Sequence, residues 1–168
     1  MTVPSFSLFP ITADHQAWLA DFLSRHWGSP MIADGNHMID ASQCPAFAAV
    51  RAADMFGDAP VVGVITYLVT GKSCEILTLN SLEERIGIGS ALIDAVLHAA
   101  RAEHCKRVFL KTTNDNTHAL RFYQRRGFVI SAVRVNAIEA VRKRKPQIPL
   151  TGLDGIPIRD EIELEITL

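Results

Sequence analysis

Cysteine is scarce in this chain. Cys44, Cys74 and Cys105 are odd in number and show no C-x-x-C spacing, so they read as reduced thiols rather than as a disulfide framework. The six histidines lack a two-His ligand spacing, and no metal site is implied. Long apolar runs are also missing: the longest, such as 60–68, fall far short of the roughly 20 residues that a membrane-spanning helix needs. Neither sign of charge is in excess, the formal net charge being −1, which speaks against bulk nucleic-acid binding. The first residues carry no basic region followed by an apolar segment, so no secretory signal is read and the cytoplasm is the expected compartment.

What is present is the composition of an ordinary globular protein, with 48% hydrophobic and 21% charged residues in 168. That length predicts one domain over 1–168, burying about 70% of the surface its unfolded chain would expose. A strand is expected over 6–11, followed by a helix capped by Thr12 and carrying Trp18, Leu19, Phe22 and Leu23 at helical spacing. Residues 31–45 contain a turn signal at Asp34-Gly35-Asn36 and are assigned no regular element. Strands follow over 47–53 and 61–69, joined through Phe56-Gly57-Asp58, and then a strand over 75–82. A helix over 90–104 shows Asp94, His98 and Arg101 on its one wet face. A short strand at 108–110, a helix over 116–126 closed by Gly127, and strands over 128–136 and 161–168 complete the order β-α-β-β-β-α-β-α-β-β. The last strand alternates Glu with Ile and Leu, which predicts one face in the core and one in water.

Two motifs stand out. In the first, Ser81 to Ser90, two closely spaced glycines join a strand directly to a helix. Amides at a helix start lack an intrahelical partner, the helix dipole adds positive charge there, and glycine admits a ligand oxygen. The stretch therefore predicts an anion cradle. In the second, Asn116-Thr117-His118-Ala119-Leu120-Arg121-Phe122-Tyr123 places Asn116 and Tyr123 two turns apart on one helix face, with small Ala119 between them.

Asn-x-x-Ala-x-x-Phe-Tyr-x-x-x-Gly-Phe behind Gly-Ile-Gly-Ser-Ala-Leu resembles the paired motifs of the GCN5-related N-acetyltransferase (GNAT) superfamily, over 75–128. The family signature places Arg or Gln where this chain has Glu84, with Arg85 one place later. The resemblance implies an α/β fold with a mixed, mostly antiparallel central sheet and helices on both faces. It implies acetyl-CoA as acyl donor, lying in a V between the fourth and fifth strands of that order. Its pyrophosphate would rest on the backbone amides of Arg85, Ile86, Gly87, Ile88, Gly89 and Ser90. Its pantetheine would pair with the strand edge at Leu77, Thr78 and Leu79, an unpaired edge being able to accept an amide-rich arm. Asn116 is implied as a cofactor contact, beside its role as helix N-cap, and Tyr123 as the acid that protonates the departing thiolate. Glu75 stands where several members carry a general base. The acceptor read from this resemblance is a primary amine on a small molecule or amino acid; a protein lysine or N-terminus, or a noncatalytic acyl-CoA-binding module, are the alternatives.

Plainer readings stand beside these. His98, His104 and His118 read as surface residues, Cys74 as a buried thiol, and Trp18, Phe122 and Phe128 as core. His37 and Asp40 are set down as candidate substrate contacts, and the run Arg142-Lys143-Arg144-Lys145 as a solvated strand end or loop. A dinucleotide fingerprint would need glycine at Leu92, and a P-loop would need Gly-Lys-Ser/Thr; neither is met. The alternating final strand is expected to offer an edge to a second copy of the chain.

Overall fold

The computed structural model describes residues 6–51 and 60–168. They form two compact units, 1–105 and 106–168. The first contains β1 (Phe6–Pro10), α1 (Gln16–Trp27), β2 (Met31–Asp34), β3 (His37–Asp40), β4 (Ala46–Arg51), β5 (Val61–Thr70), β6 (Ser73–Ser81) and α2 (Ile88–Ala102). The second contains β7 (Arg107–Thr113), α3 (Thr117–Arg125), β8 (Val129–Arg134), α4 (Ala137–Arg142) and β9 (Glu161–Thr167). The expected connection at 56–58, and the end of the strand expected to reach residue 53, lie outside the described residues.

In the first unit β1, β4, β5 and β6 pair in that order, each pair antiparallel. β5 is the central strand, buried from Val62 to Tyr67, as its continuous apolar run predicts. Its neighbouring residues point to opposite faces. Val64 packs with Leu19, Phe22 and Leu23 of α1, whereas Gly63 lies beneath Ile88 and Leu92 of α2. Thus α1 and α2 cover opposite faces of the same strand.

Two expectations are corrected in this unit. Thr12 does not cap α1 directly: a single 3-10 turn over Ala13–His15 intervenes, with the Thr12 hydroxyl 2.9 Å from His15 Nδ1. The segment assigned no regular element holds a hairpin, β2 with β3, in which Ile32 lies opposite Ile39. Each strand has four residues, too few for a period to show, yet both isoleucines pack against the α1 core. Asp40 caps the 3-10 turn that follows β3, its Oδ1 accepting from the Ser42 amide at 3.0 Å and the Ser42 hydroxyl at 2.6 Å.

In the second unit β9 lies between β7 and β8, antiparallel to both. Both edges of the final strand are therefore taken, and it cannot offer one to a second copy. Nor does its glutamate face lie in water. Glu163 is buried beneath Arg107 and Arg134, at 3.2 and 2.7 Å, while Glu161 and Glu165 extend the same network. Alternation of polar with apolar residues cannot distinguish solvent from a layer of arginines. Helix α4 is a further element that the sequence did not announce, six residues being less than two turns.

Burial pushes the Glu163 carboxyl up, but the hydrogen bonds and charges of Arg134 and Arg107 outweigh it and hold it below the usual carboxylate range. A depressed carboxyl stabilises the fold above its unfolded pKa of about 4.3, and that contribution is lost as pH falls through the lower folded value. Glu163→Gln is therefore expected to lower stability at neutral pH by roughly 1–3 kcal/mol and to flatten the acid limb of a Tm–pH curve. The range lies below that of a fully buried pair because the arginine side chains are 36% and 45% exposed. Equal Tm for the two proteins at pH 7 would contradict the assignment.

Candidate active site

The cradle begins where β6 ends. From Leu82 to Gly87 the chain bends, and α2 starts at Ile88, two residues earlier than expected. Arg85 and Gly87 have φ of +65° and +85°, while Ile86 between them is not in the positive region. Backbone that alternates in this way turns successive N–H groups toward one concavity, an anion-binding arrangement. The first helical bond runs from the Ala91 amide to the Gly87 carbonyl, so the amides of Ile88, Gly89 and Ser90 have no partner one turn back. Arg85, Ile86 and Gly87 are exposed, and α2 is long enough at 15 residues to present a full dipole.

Glu83 anchors this loop. Its carboxylate forms a two-pronged ion pair with Arg51 of β4, and its carbonyl accepts from the Ser81 hydroxyl at 3.0 Å. The pairing also neutralises a negative charge beside an anion site. Glu84, the irregular residue of the motif, is simply exposed. A second anchor is Gly63: a Cβ placed there would stand 2.4 Å from Ile88 Cγ2 and 3.0 Å from the Asn80 carbonyl. Only a residue without a side chain lets the first turn of α2 settle on β5. A lone glycine inside an apolar strand is a signal of close approach, and the sequence carried it unread.

β6 has a bulge. Thr66 faces Thr78 and Tyr67 faces Ile76, leaving Leu77 as the extra residue. Val64, Thr66 and Leu68 share one face of β5, and they stand opposite Asn80, Thr78 and Glu75. Directly opposed residues share a face. The bulge therefore brings Glu75 to the face of Thr78 and Asn80, where an unbroken strand would turn it away. This is the face that α1 covers: Trp27 Nε1 donates to Asn80 Oδ1 at 2.8 Å. The Thr66 and Thr78 hydroxyls pair at 2.8 Å in the buried interior. Glu75 is half-buried. At about 3.3 Å per residue, Glu75 and the cradle lie about 20 Å apart, at opposite ends of β6. Its neighbour Cys74 is buried, and desolvation, with added repulsion from Cys105 and Glu75, pushes its thiol up to about 12, too high for a nucleophile at neutral pH.

In the second unit Asn116 caps α3, its Oδ1 accepting from the Ala119 amide at 3.2 Å. Tyr123 is the buried residue of that helix, its ring edge-on to Phe128 at 5.5 Å and to Phe122 at 5.3 Å. Its carbonyl accepts from the amides of Arg126 and Phe128, so the helix end is tied around it. Burial raises the phenol well above its ordinary pKa and keeps it protonated. His118 is exposed, as expected. The basic run is not a solvated strand end or loop at Arg142, which ends α4 and donates to the carbonyls of Ile148, Pro149 and Ile158. Lys143 and Arg144 are exposed, and Lys145 is half-buried, its pKa lowered by burial.

Comparison with known proteins gives the class. The Acetyltransferase (GNAT) family model matches residues 14–128. Uncharacterized protein YdhI of Bacillus subtilis (strain 168) is 44% identical over 144 residues, 86% of this chain and 87% of its own length. Among solved structures, a GNAT family acetyltransferase from Elizabethkingia anophelis with acetyl-CoA bound has a TM-score of 0.66 at 19% identity, covering 99% of this chain and 100% of that one. Arabidopsis thaliana Naa50, in complex with the bisubstrate analogue CoA-Ac-MVNAL, has a TM-score of 0.67 at 22% identity, covering 98% and 99%. The chain belongs to the GNAT acetyltransferase family and has its fold, a mixed, mostly antiparallel sheet with helices. Among the described residues no helix is long and apolar enough to cross a membrane, and no cluster of metal-ligating side chains occurs.

Proposed function

We propose that this chain, working as one domain in the cytoplasm, transfers an acetyl group from acetyl-CoA to a primary amine on a small molecule or amino acid. The observation that carries the reading is the cradle: unpaired amides on backbone of alternating φ, pinned by Arg51 and Gly63, with no side chain required to hold phosphate. The amides of 85–90 would hold the pyrophosphate, and Leu77, Thr78 and Leu79 would run beside the pantetheine, ending near Glu75. Asn116 would add a contact through its amide nitrogen, its oxygen being committed to the cap.

In this reading Glu75, directly or through water, takes the proton that an alkyl ammonium of pKa about 10.4 must lose. The amine nitrogen then bonds to the thioester carbonyl carbon, and the carbon–sulfur bond breaks as the tetrahedral intermediate collapses. Tyr123 gives its phenolic proton to the departing thiolate, and the proton shed by the new amide nitrogen restores the phenol through solvent. The gain comes mainly from holding amine and thioester in line. The peptide-based analogue bound by Naa50 favours a second reading, in which the acceptor is a protein N-terminus.

Calorimetric titration with acetyl-CoA, followed by release of free thiol over a panel of small amines, amino acids and short peptides, tests both. Binding with turnover of a small amine is expected. Turnover of peptides alone selects the second reading. Binding without any turnover indicates an acyl-CoA-binding module, and absence of binding defeats the proposal.

A further inference from the structure

β8 is the terminal strand of its sheet, and among the described residues no strand pairs with its outer edge. Its surface is unusual. Val129, Ile130 and Val133, and Val135 just beyond it, are 62%, 47%, 54% and 65% exposed, in a stretch with no lysine or proline to discourage pairing. Four large apolar side chains so close together on an open strand edge mark an interaction surface.

The strand's register identifies the partner. Ile130 lies opposite Leu164 and Val133 opposite Ile162, so both occupy the apolar face of β9. Val129, Ala132 and Arg134 lie opposite Glu165, Glu163 and Glu161, on the charged face. An unbroken strand would send Ile130 and Val133 to opposite faces; Ser131, the extra residue of a bulge, returns them to one.

We propose that β8 is the subunit interface of a homodimer, pairing antiparallel with β8 of a second copy about a twofold axis between Ser131 and Ala132. That centre sets Ile130 against Val133 of the second copy, apolar face to apolar face, and Val129 against Arg134 on the charged face. A centre on Ser131 would set Ile130 opposite Ala132, and a centre on Ala132 would set it opposite Arg134; both would join residues of different faces. The charges agree as well. Arg134, the one charge of the strand, meets an apolar residue rather than its twin, and Glu161 and Glu163 of its own chain already neutralise it. An isologous interface requires such a self-complementary pattern.

Sedimentation velocity at micromolar and submillimolar concentration tests this, with Ile130→Lys and Val133→Lys as variants. The unsubstituted protein is expected at twice the 18.5 kDa chain mass and each variant at the chain mass, with helical circular dichroism and acetyl-CoA binding unchanged. Hydrogen–deuterium exchange of the unsubstituted chain gives a readout that does not depend on the variants folding: the peptide over 129–135 should exchange more slowly as concentration rises. A monomer throughout the range, a dimer that survives both lysines, or exchange at 129–135 that ignores concentration overturns the proposal.

Discussion

Tyr123→Phe is expected to lower kcat about 10²–10⁴-fold, the usual worth of a positioned general acid, while the acetyl-CoA dissociation constant stays within a factor of about two. The substitution keeps the ring, whose edge-on contacts with Phe122 and Phe128 fix the end of α3, and removes only the hydroxyl. The pH dependence has a defined sign. Burial raises the phenol above its ordinary value of about 10, so its proton is held throughout the neutral range, and no loss of activity from this group is expected until pH exceeds 10. A raised folded pKa also means that stability from this group is complete below about pH 10 and falls as pH rises beyond it. The Tyr123→Phe variant should lack that alkaline loss. Equal losses of turnover and cofactor affinity, or an alkaline limb centred below about pH 9, would remove Tyr123 from the acid role.

Gly63→Ala is expected to weaken acetyl-CoA binding at least tenfold and to lower stability by about 1–3 kcal/mol, although residue 63 lies on a strand and outside the cradle. The added Cβ would meet Ile88 Cγ2 at 2.4 Å and Leu92 Cδ1 at 3.1 Å, and neither side chain has room to turn away, both being buried. The backbone carbonyl of Asn80 stands at 3.0 Å on another side. The easiest relief is to lift the first turn of α2, which carries the amides of Ile88, Gly89 and Ser90. Calorimetry with acetyl-CoA and a thermal melt would separate the two effects. A Gly63→Ala variant that melts and binds like the parent would mean that the helix start tolerates displacement, and the cradle would then owe little to close packing.

Much of this was legible in the residues. The glycine pair after an apolar strand, and Asn116 two turns before Tyr123, are local patterns whose meaning depends on backbone geometry alone. Both lie where expected, with Gly87 at positive φ and Asn116 as the cap. Long elements were legible for the same reason: α2 and β5 repeat their pattern often enough to define a period. The hairpin over 31–40 and helix α4 were not, since four- and six-residue elements barely repeat. They exist because tertiary contacts support them.

By itself, then, the sequence pointed to the family, to the strand-to-helix turn at Gly87 and to the helix from Asn116 to Tyr123, because each rests on neighbours along the chain. Only the tertiary structure decided what depends on residues distant in sequence. Arg51 neutralises Glu83, Gly63 admits α2 to the sheet, and the bulge at Leu77 turns Glu75 to the face of Thr78. Likewise, Glu163 is covered by arginines from two other strands, and β9 is enclosed while β8 is left open. Strand order and register set all of these, and neither is written in the local period of any one segment.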